Sequence, residues 1–148
     1  MSGSRALGID LGERRIGVAV SSGSVASPIE TVQRSGDRQS DHRRLLAIAE
    51  EWEVDVIVFG LPLSLDGSVG PAAAGVQAEI EQFGAHTSLR IETYDERLTT
   101  VTADRQLAEG GVPGRDRRRM IDQVAAAVLL QGWLDRQQAQ APTDTDDE

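Results

Sequence analysis

Residues 54–59 constrain the fold most, because five of these six consecutive residues are apolar. A strand this apolar is typical of a position at the centre of a sheet, where both faces are covered. Apolar residues at helical spacing come just before it, at Leu45, Ile48, Ala49 and Trp52. The two patterns together predict a helix that leads into a buried central strand.

The remaining segments alternate between strand and helix signals. We predict strands at 6–10, 16–20, 28–32 and 89–93, the first two forming a hairpin across the turn at 11–14. Helices are predicted from Pro71 to about Phe83, over 101–109 and from about Met120 to Arg136. This order predicts an α/β fold with a mixed five-stranded sheet and helices on both faces.

Length and composition favour one domain without thiol chemistry. The 148 residues suit a single core, which we expect at 1–136, followed by an acidic, low-complexity tail at 137–148 that is predicted to be disordered. Cysteine is absent, and His42 and His86 are the two histidines. Because no apolar run is long enough for a secretion signal or a bilayer span, we expect a cytoplasmic protein with no membrane partner.

Asp10 is the first candidate for chemistry, since it ends an apolar strand just before Gly12. A carboxylate at such a strand end suits a ligand site, but an aspartate in a turn can also bond its own backbone. The segment 8–12 also resembles the first phosphate loop of actin-like ATPases. That architecture needs two lobes, whereas 148 residues supply one.

Glu96 and Asp122 are the other two acidic candidates. Glu96 stands between Asp95 and Arg97 after a predicted strand. These three charged residues are interpreted either as part of a site or as a solvated charge cluster. Asp122 is expected near the start of the last helix, where apolar residues follow at Ala125, Ala126 and Leu129. It is interpreted either as a helix cap or as a ligand that compensates a buried carboxylate.

Arginine supplies all fifteen basic residues, and its planar fork is a good phosphate clamp. The densest run, which we expect in a loop directly before Asp122, consists of Arg115, Arg117, Arg118 and Arg119. Arg14 and Arg15 form a weaker second patch in the first turn. These runs indicate either a solvated face or backbone phosphate binding. With only five aromatic residues in the chain, we expect recognition through backbone and shape and not through base stacking.

Several motifs, taken in order, resemble the YqgF family, also called RuvX-like. They lie at 6–21, 58–63, 66–67, 94–100 and 121–126. Its members are described as Holliday junction resolvases or pre-16S rRNA nucleases. The departures are small: Arg14 stands where lysine is common, and Ser64-Leu65 replaces a usual Asn-Met.

The resemblance implies an RNase H-like three-layer fold and a nuclease site. Asp10, Glu96 and Asp122 become the catalytic and metal-binding residues, a hard oxygen site suited to Mg²⁺ or Mn²⁺. We expect two ions, with Asp10 bridging both, and products with a 5′-phosphate and a 3′-hydroxyl. The expected substrate-binding residues are Arg14, Arg15, Arg97, Arg115, Arg117, Arg118 and Arg119.

The substrate is the most open question at the level of sequence. We favour a monomer that processes the 5′ end of precursor 16S rRNA, because resolving a junction needs two sites at a fixed separation, usually in a dimer. Holliday junction resolution in DNA recombination or repair remains an alternative. A non-catalytic, RNA-binding or transcription-associated module is another, and no base-reading motif distinguishes RNA from DNA.

Overall fold

The computed structural model describes residues 5–96, 111 and 114–140, and it describes the side chains of the last segment from 124 to 139. Within these residues it has five strands and three helices. The strands are β1 (Ala6–Leu11), β2 (Arg15–Ser22), β3 (Val25–Gln33), β4 (Val56–Leu61) and β5 (Arg90–Asp95). The helices are α1 (Arg38–Glu51), α2 (Pro71–Gly84) and α3 (Gly114–Gln140).

The five strands form one mixed sheet in the order β3-β2-β1-β4-β5. β1, β2 and β3 are joined as antiparallel neighbours, whereas β4 pairs in parallel with both β1 and β5. Pro28 lies in β3, an edge strand, where a missing ladder donor is tolerated. Since β1, β4 and β5 all run in one direction, their C-terminal ends share one edge of the sheet.

Two apolar clusters cover the two faces of the sheet. On one face Leu7, Ile9 and Phe59 belong to a cluster that also contains residues of α1 and α2. On the other face Val58 belongs to a cluster with Leu129 of α3. The alternation of side chains along a strand explains this division, because Val58 and Phe59 are neighbours that point to opposite faces. The predicted mixed sheet with helices on both faces is therefore confirmed.

Individual residues explain where α1 and α2 begin and how one turn forms. The Asp37 side chain caps α1 by accepting from the backbone N–H groups of Gln39 and Ser40. α2 starts at Pro71, whose missing N–H has no helical partner to lose. In the predicted turn at 66–67, Asp66 accepts from the Ser68 N–H at 2.9 Å, and Gly67 has a φ of +88°.

Several predicted boundaries were wrong. β4 starts at Val56 and continues through Gly60 and Leu61, two residues beyond the predicted strand, because parallel pairing with β5 extends to Leu61. α3 begins six residues before Met120 and ends at Gln140, so residues 137–140 of the expected tail are helical. The predicted helix at 101–109 and residues 141–148 lie outside the described residues. No helix in the described ranges is long and apolar enough to cross a membrane.

Candidate active site

Asp10 lies near the C-terminal end of β1, on the sheet face that α3 covers. Its partner in the antiparallel strand β2 is Gly17. A Cβ atom built on Gly17 would stand 3.8 Å from the Asp10 Cβ and 3.5 Å from the Ala126 Cβ of α3. Asp10 therefore lies at a strand end, as the sequence predicts, and projects into the narrow space between the sheet and the helix.

Glu96 directly follows β5 and reaches the same edge of the sheet. Its carboxyl group is hydrogen-bonded to that of Asp10. Burial, the negative charge of Asp10 and this hydrogen bond together raise the pKa of Glu96 to about 8, and burial is the largest of the three causes. At neutral pH one proton is therefore held between the two carboxyl groups when no cation is bound.

Gly60 makes this carboxyl pair possible. It lies in β4, the strand that separates β1 from β5. A Cβ atom at Gly60 would stand only 2.8 Å from the Glu96 Oε2 atom, closer than real side chains approach. The strand predicted at 54–59 stops just before Gly60, although a glycine that continues an apolar strand is itself a signal for a close approach. The missing side chain leaves the space that Glu96 occupies beside β4.

The helix α3 brings the backbone of Asp122 toward the same edge. A Cβ atom at Gly8 would stand 2.8 Å from the Leu130 Cβ and 3.0 Å from the Ala126 carbonyl oxygen, so the helix packs directly on the strand backbone. Position 122 lies four residues before Ala126, just over one helical turn and about 6 Å along the axis. Leu130 and Ala126 lie successively closer to Asp10, and position 122 continues this direction. The Asp122 side chain lies outside the described residues.

Two expectations about this helix were wrong. Asp122 is the ninth residue of α3, so it cannot cap the N-terminus, where the unpaired N–H groups belong to the first four residues. The four arginines before it lie in helical backbone and not in a loop, at Arg115, Arg117, Arg118 and Arg119. Helical spacing continues upstream of Met120 through a run of charged residues, and charged residues carry no apolar periodicity to reveal it.

Arg14 and Arg15 are close to Asp10 in the sequence, whereas the other candidate arginines are more than 80 residues away from it. Both are exposed. They line a surface cleft of about 230 Å³ together with Asp10, Gly12, Glu13, Gly17 and Thr31. The cleft thus carries two guanidinium groups beside the carboxyl groups of Asp10 and Glu13, and the exposed guanidinium groups are the part of it that suits an anionic ligand. Arg97 and the side chains of the four arginines at 115–119 lie outside the described residues.

The donor chemistry of this edge fits a hard divalent cation. Asp10 and Glu96 supply carboxylate oxygens, and two like charges in one partly buried space are stabilised by a cation or by a shared proton. Among the residues whose side chains are described, no group of three or more metal-ligating residues converges. The third predicted ligand, Asp122, falls outside that set.

Comparison with known sequences identifies close relatives across nearly the whole chain. A family model described as RuvX, Holliday junction resolvase, matches residues 4–136. A protein of Myxococcus xanthus named "Putative pre-16S rRNA nuclease" is 45% identical over 144 residues, which are 96% of this chain and 93% of the relative. A protein of Rhodococcus erythropolis with the same name is 47% identical over 137 residues, 88% of this chain and 77% of that one.

Comparison with solved structures identifies the fold. RuvC of T. thermophilus in complex with a Holliday junction substrate superposes with a TM-score of 0.58 at 14% identity. The match covers 94% of this chain and 98% of RuvC. A second structure of Thermus thermophilus RuvC gives a TM-score of 0.55. This likeness confirms the predicted RNase H-like fold.

Proposed function

The chain belongs to the RuvX family of nucleases, and we propose that it hydrolyses phosphodiester bonds in the 5′ extension of precursor 16S ribosomal RNA. The hydrogen-bonded pair of Asp10 and Glu96 is the observation that carries the catalytic part of this proposal. The names of relatives that are 40% to 47% identical support the choice of RNA.

We further propose that Asp10, Glu96 and Asp122 hold Mg²⁺ or Mn²⁺. A divalent ion at this edge would neutralise charge on the reacting phosphate and assist ionisation of the attacking water. The raised pKa of Glu96 fits this role, because a site built for a cation leaves its carboxylates poorly compensated without one. The number of ions expected from the family is two.

The residues of the chain have separable tasks in this proposal. The carboxylates at the sheet edge hold the cation and face the scissile phosphate. Arg14 and Arg15 line the adjoining cleft, where their side chains can bind neighbouring phosphates of the strand. The arginines at 115–119, in the first turns of α3, would bind phosphates on the far side of Asp122, and Arg97 would contribute beside Glu96.

Holliday junction resolution is the second candidate, because the matching family model carries that description. The two functions differ in geometry. Paired cuts in a junction require two active sites at a fixed separation, whereas a monomer suffices for one cut in RNA. We propose the monomer, as the apolar faces of α1, α2 and α3 are used to cover the sheet.

A nuclease assay with matched substrates tests these proposals. The full chain is incubated with Mg²⁺ or Mn²⁺ and with end-labelled precursor 16S RNA, a synthetic four-way junction, or a duplex of the same length. Specific cleavage of the RNA near the mature 5′ end, absent in the Asp10→Asn variant, is the expected result. Cleavage of the junction alone would favour the second candidate. RNA binding without any cleavage would favour a non-catalytic module.

A further inference from the structure

A buried carboxylate outside the candidate active site binds three cationic or potentially cationic side chains. Glu79 lies in α2 and is 4% exposed. Its two carboxyl oxygens accept from both terminal nitrogens of Arg34 at 3.0 Å, and the His42 Nε2 lies 2.8 Å from Oε2. The Arg38 Nε is 3.7 Å away. Burial alone would raise the pKa of Glu79, but these partners outweigh it and hold the pKa below its usual value.

Arg34 links this carboxylate to the turn between β1 and β2. Its Nε donates to the Gly12 carbonyl oxygen at 2.7 Å, while its other two nitrogens bind Glu79. The guanidinium group is planar and rigid, so the Gly12 carbonyl and the Glu79 carboxylate are fixed relative to each other. Gly12 follows Asp10 by two residues, and its own N–H donates to the Arg15 carbonyl oxygen at 3.0 Å.

The backbone on either side of Arg34 is held as well. The Arg34 N–H donates to the Arg14 carbonyl oxygen at 2.9 Å. The buried carboxylate of Asp41 accepts from both the backbone N–H and the hydroxyl of Ser35. Residues of α1 and α2 thereby fix the start and the end of the Arg34 side chain.

Stability alone is a weak explanation for this arrangement. Removing charges from water is costly, and a buried ion pair is often no more stabilising than apolar residues of the same size. The Arg34 side chain is 18% exposed and that of Glu79 is 5% exposed, so most of this cost applies. What apolar residues could not supply is a directional hydrogen bond to one carbonyl group of the turn.

We propose that Arg34, held by Glu79, is a positioning residue that fixes the turn between β1 and β2, residues 12–14, and thereby sets the placement of Asp10, Arg14 and Arg15. This inference deepens the proposed function and rests on it for its catalytic consequence. Its structural part, the anchoring of the turn, is independent of substrate and metal.

The test compares Arg34→Lys with Arg44→Lys. Arg44 offers a matched control, since it also forms an ion pair with a glutamate, Glu30, but this pair joins α1 to β3 at the surface and touches no residue of the turn. Lysine keeps the charge at both positions and loses the fork. Glu79→Gln is a third variant, which weakens the same anchor from its other end if Arg34→Lys does not fold.

Two measurements separate positioning from general stabilisation, both made well below each melting temperature. The first is amide hydrogen exchange of Gly12 in the metal-free protein, which should become at least ~10-fold faster in Arg34→Lys and in Glu79→Gln and stay unchanged in Arg44→Lys. The second is kcat on the cleaved substrate, which should fall by roughly 10- to 100-fold in the same two variants, with a higher half-saturating Mg²⁺ concentration.

The outcomes distinguish the two proposals. If both variants melt earlier but keep the exchange rate of Gly12 and the Mg²⁺ dependence of the parent, Arg34 only stabilises the fold and the positioning role is wrong. If the parent cleaves no nucleic acid, the proposed function fails. Faster exchange at Gly12 would then still support the anchoring of the turn, and unchanged exchange would overturn it.

Discussion

The carboxyl groups of Asp10 and Glu96 are hydrogen-bonded to each other although 85 positions separate them in the sequence and strand β4 separates their strands in the sheet. Parallel pairing brings the C-terminal ends of β1, β4 and β5 to one edge. The glycine at position 60 then leaves room for Glu96 beside β4. The fold thus creates a site that favours a proton or a cation, because burial and the like charge of Asp10 disfavour the ionised form of Glu96.

Glu96→Gln should stabilise the metal-free protein at alkaline pH. The pKa of Glu96 is raised from 4.5 to about 8, so the folded chain binds a proton that the unfolded chain releases between these values. Stability of the parent therefore falls as pH rises from 5 to 8, and glutamine removes this loss. In the presence of a chelator, the melting temperatures of the parent and of Glu96→Gln should be similar at pH 5 and differ by several degrees at pH 8. The variant should also lose nuclease activity.

Glu81→Gln is the control for this experiment, because Glu81 is exposed on α2, which packs on the face of the sheet opposite to α3 and Asp10. It should leave the pH dependence of melting as in the parent. If Glu96→Gln and the parent show the same pH dependence of the melting temperature, the pKa of Glu96 is not raised in the folded protein.

Gly60→Ala should abolish most activity through one methyl group. The added Cβ would stand 2.8 Å from the Glu96 Oε2 and 3.1 Å from the Leu129 Cδ2, so the glutamate must leave its place. We expect kcat to fall at least ~10-fold. The free energy of unfolding should fall by about 1–3 kcal/mol from crowding. Steady-state kinetics and denaturant titrations measure the two effects separately.

Gly75→Ala is a matched control, since a Cβ at Gly75 in α2 meets no atom within 4 Å. Alanine in this exposed helix position should stabilise by about 0.5–1 kcal/mol and leave kcat unchanged. Full activity in Gly60→Ala would show that Glu96 can act from a different position.

The sequence predicted the order of the sheet-forming elements because apolar periodicity reports burial directly. Residues 54–59 and the hairpin at 6–20 were assigned correctly in type for this reason. The start of α3 was missed, because residues 115–119 are all charged and the sequence there has no apolar periodicity. The anchor at Arg34 was missed as well, since its partners Gly12 and Glu79 come together only through the tertiary fold.

Asp122→Asn should abolish cleavage and the stabilisation by metal while the fold survives. The amide keeps the volume of the side chain but loses the charge that holds a cation. In thermal melts Mg²⁺ should raise the melting temperature of the parent and not that of the variant, because only a ligand bound to the folded state stabilises it. An equal increase in both proteins would show that Asp122 is not a metal ligand.

Replacing Arg117, Arg118 and Arg119 by alanine should weaken binding to all nucleic acid sequences alike. Each phosphate contact releases a counterion, so the slope of log K against log salt should decrease in magnitude by roughly two to three. Fluorescence anisotropy over a salt series measures this slope. The double variant Arg43→Ala and Arg44→Ala removes charge from α1, on the opposite face of the sheet, and should leave the slope unchanged. An unaltered slope in the triple variant would contradict the role of α3 in phosphate binding.

The protein should act as a monomer that makes one cut. A stable dimer usually buries ~1,200–2,000 Å² or more of well-packed surface. The large apolar residues that are most exposed among those described are Val25, Leu65 and Val69. Val25 lies at the start of β3, at the opposite end of the sheet from Leu65 and Val69, which follow β4, so the three form no continuous patch of that size. Light scattering with and without substrate should therefore give the monomer mass, and cleavage of a junction labelled on two strands should give no paired symmetric nicks. A stable dimer that makes such nicks and leaves precursor RNA intact would overturn both the oligomeric state and the choice of RNA as substrate.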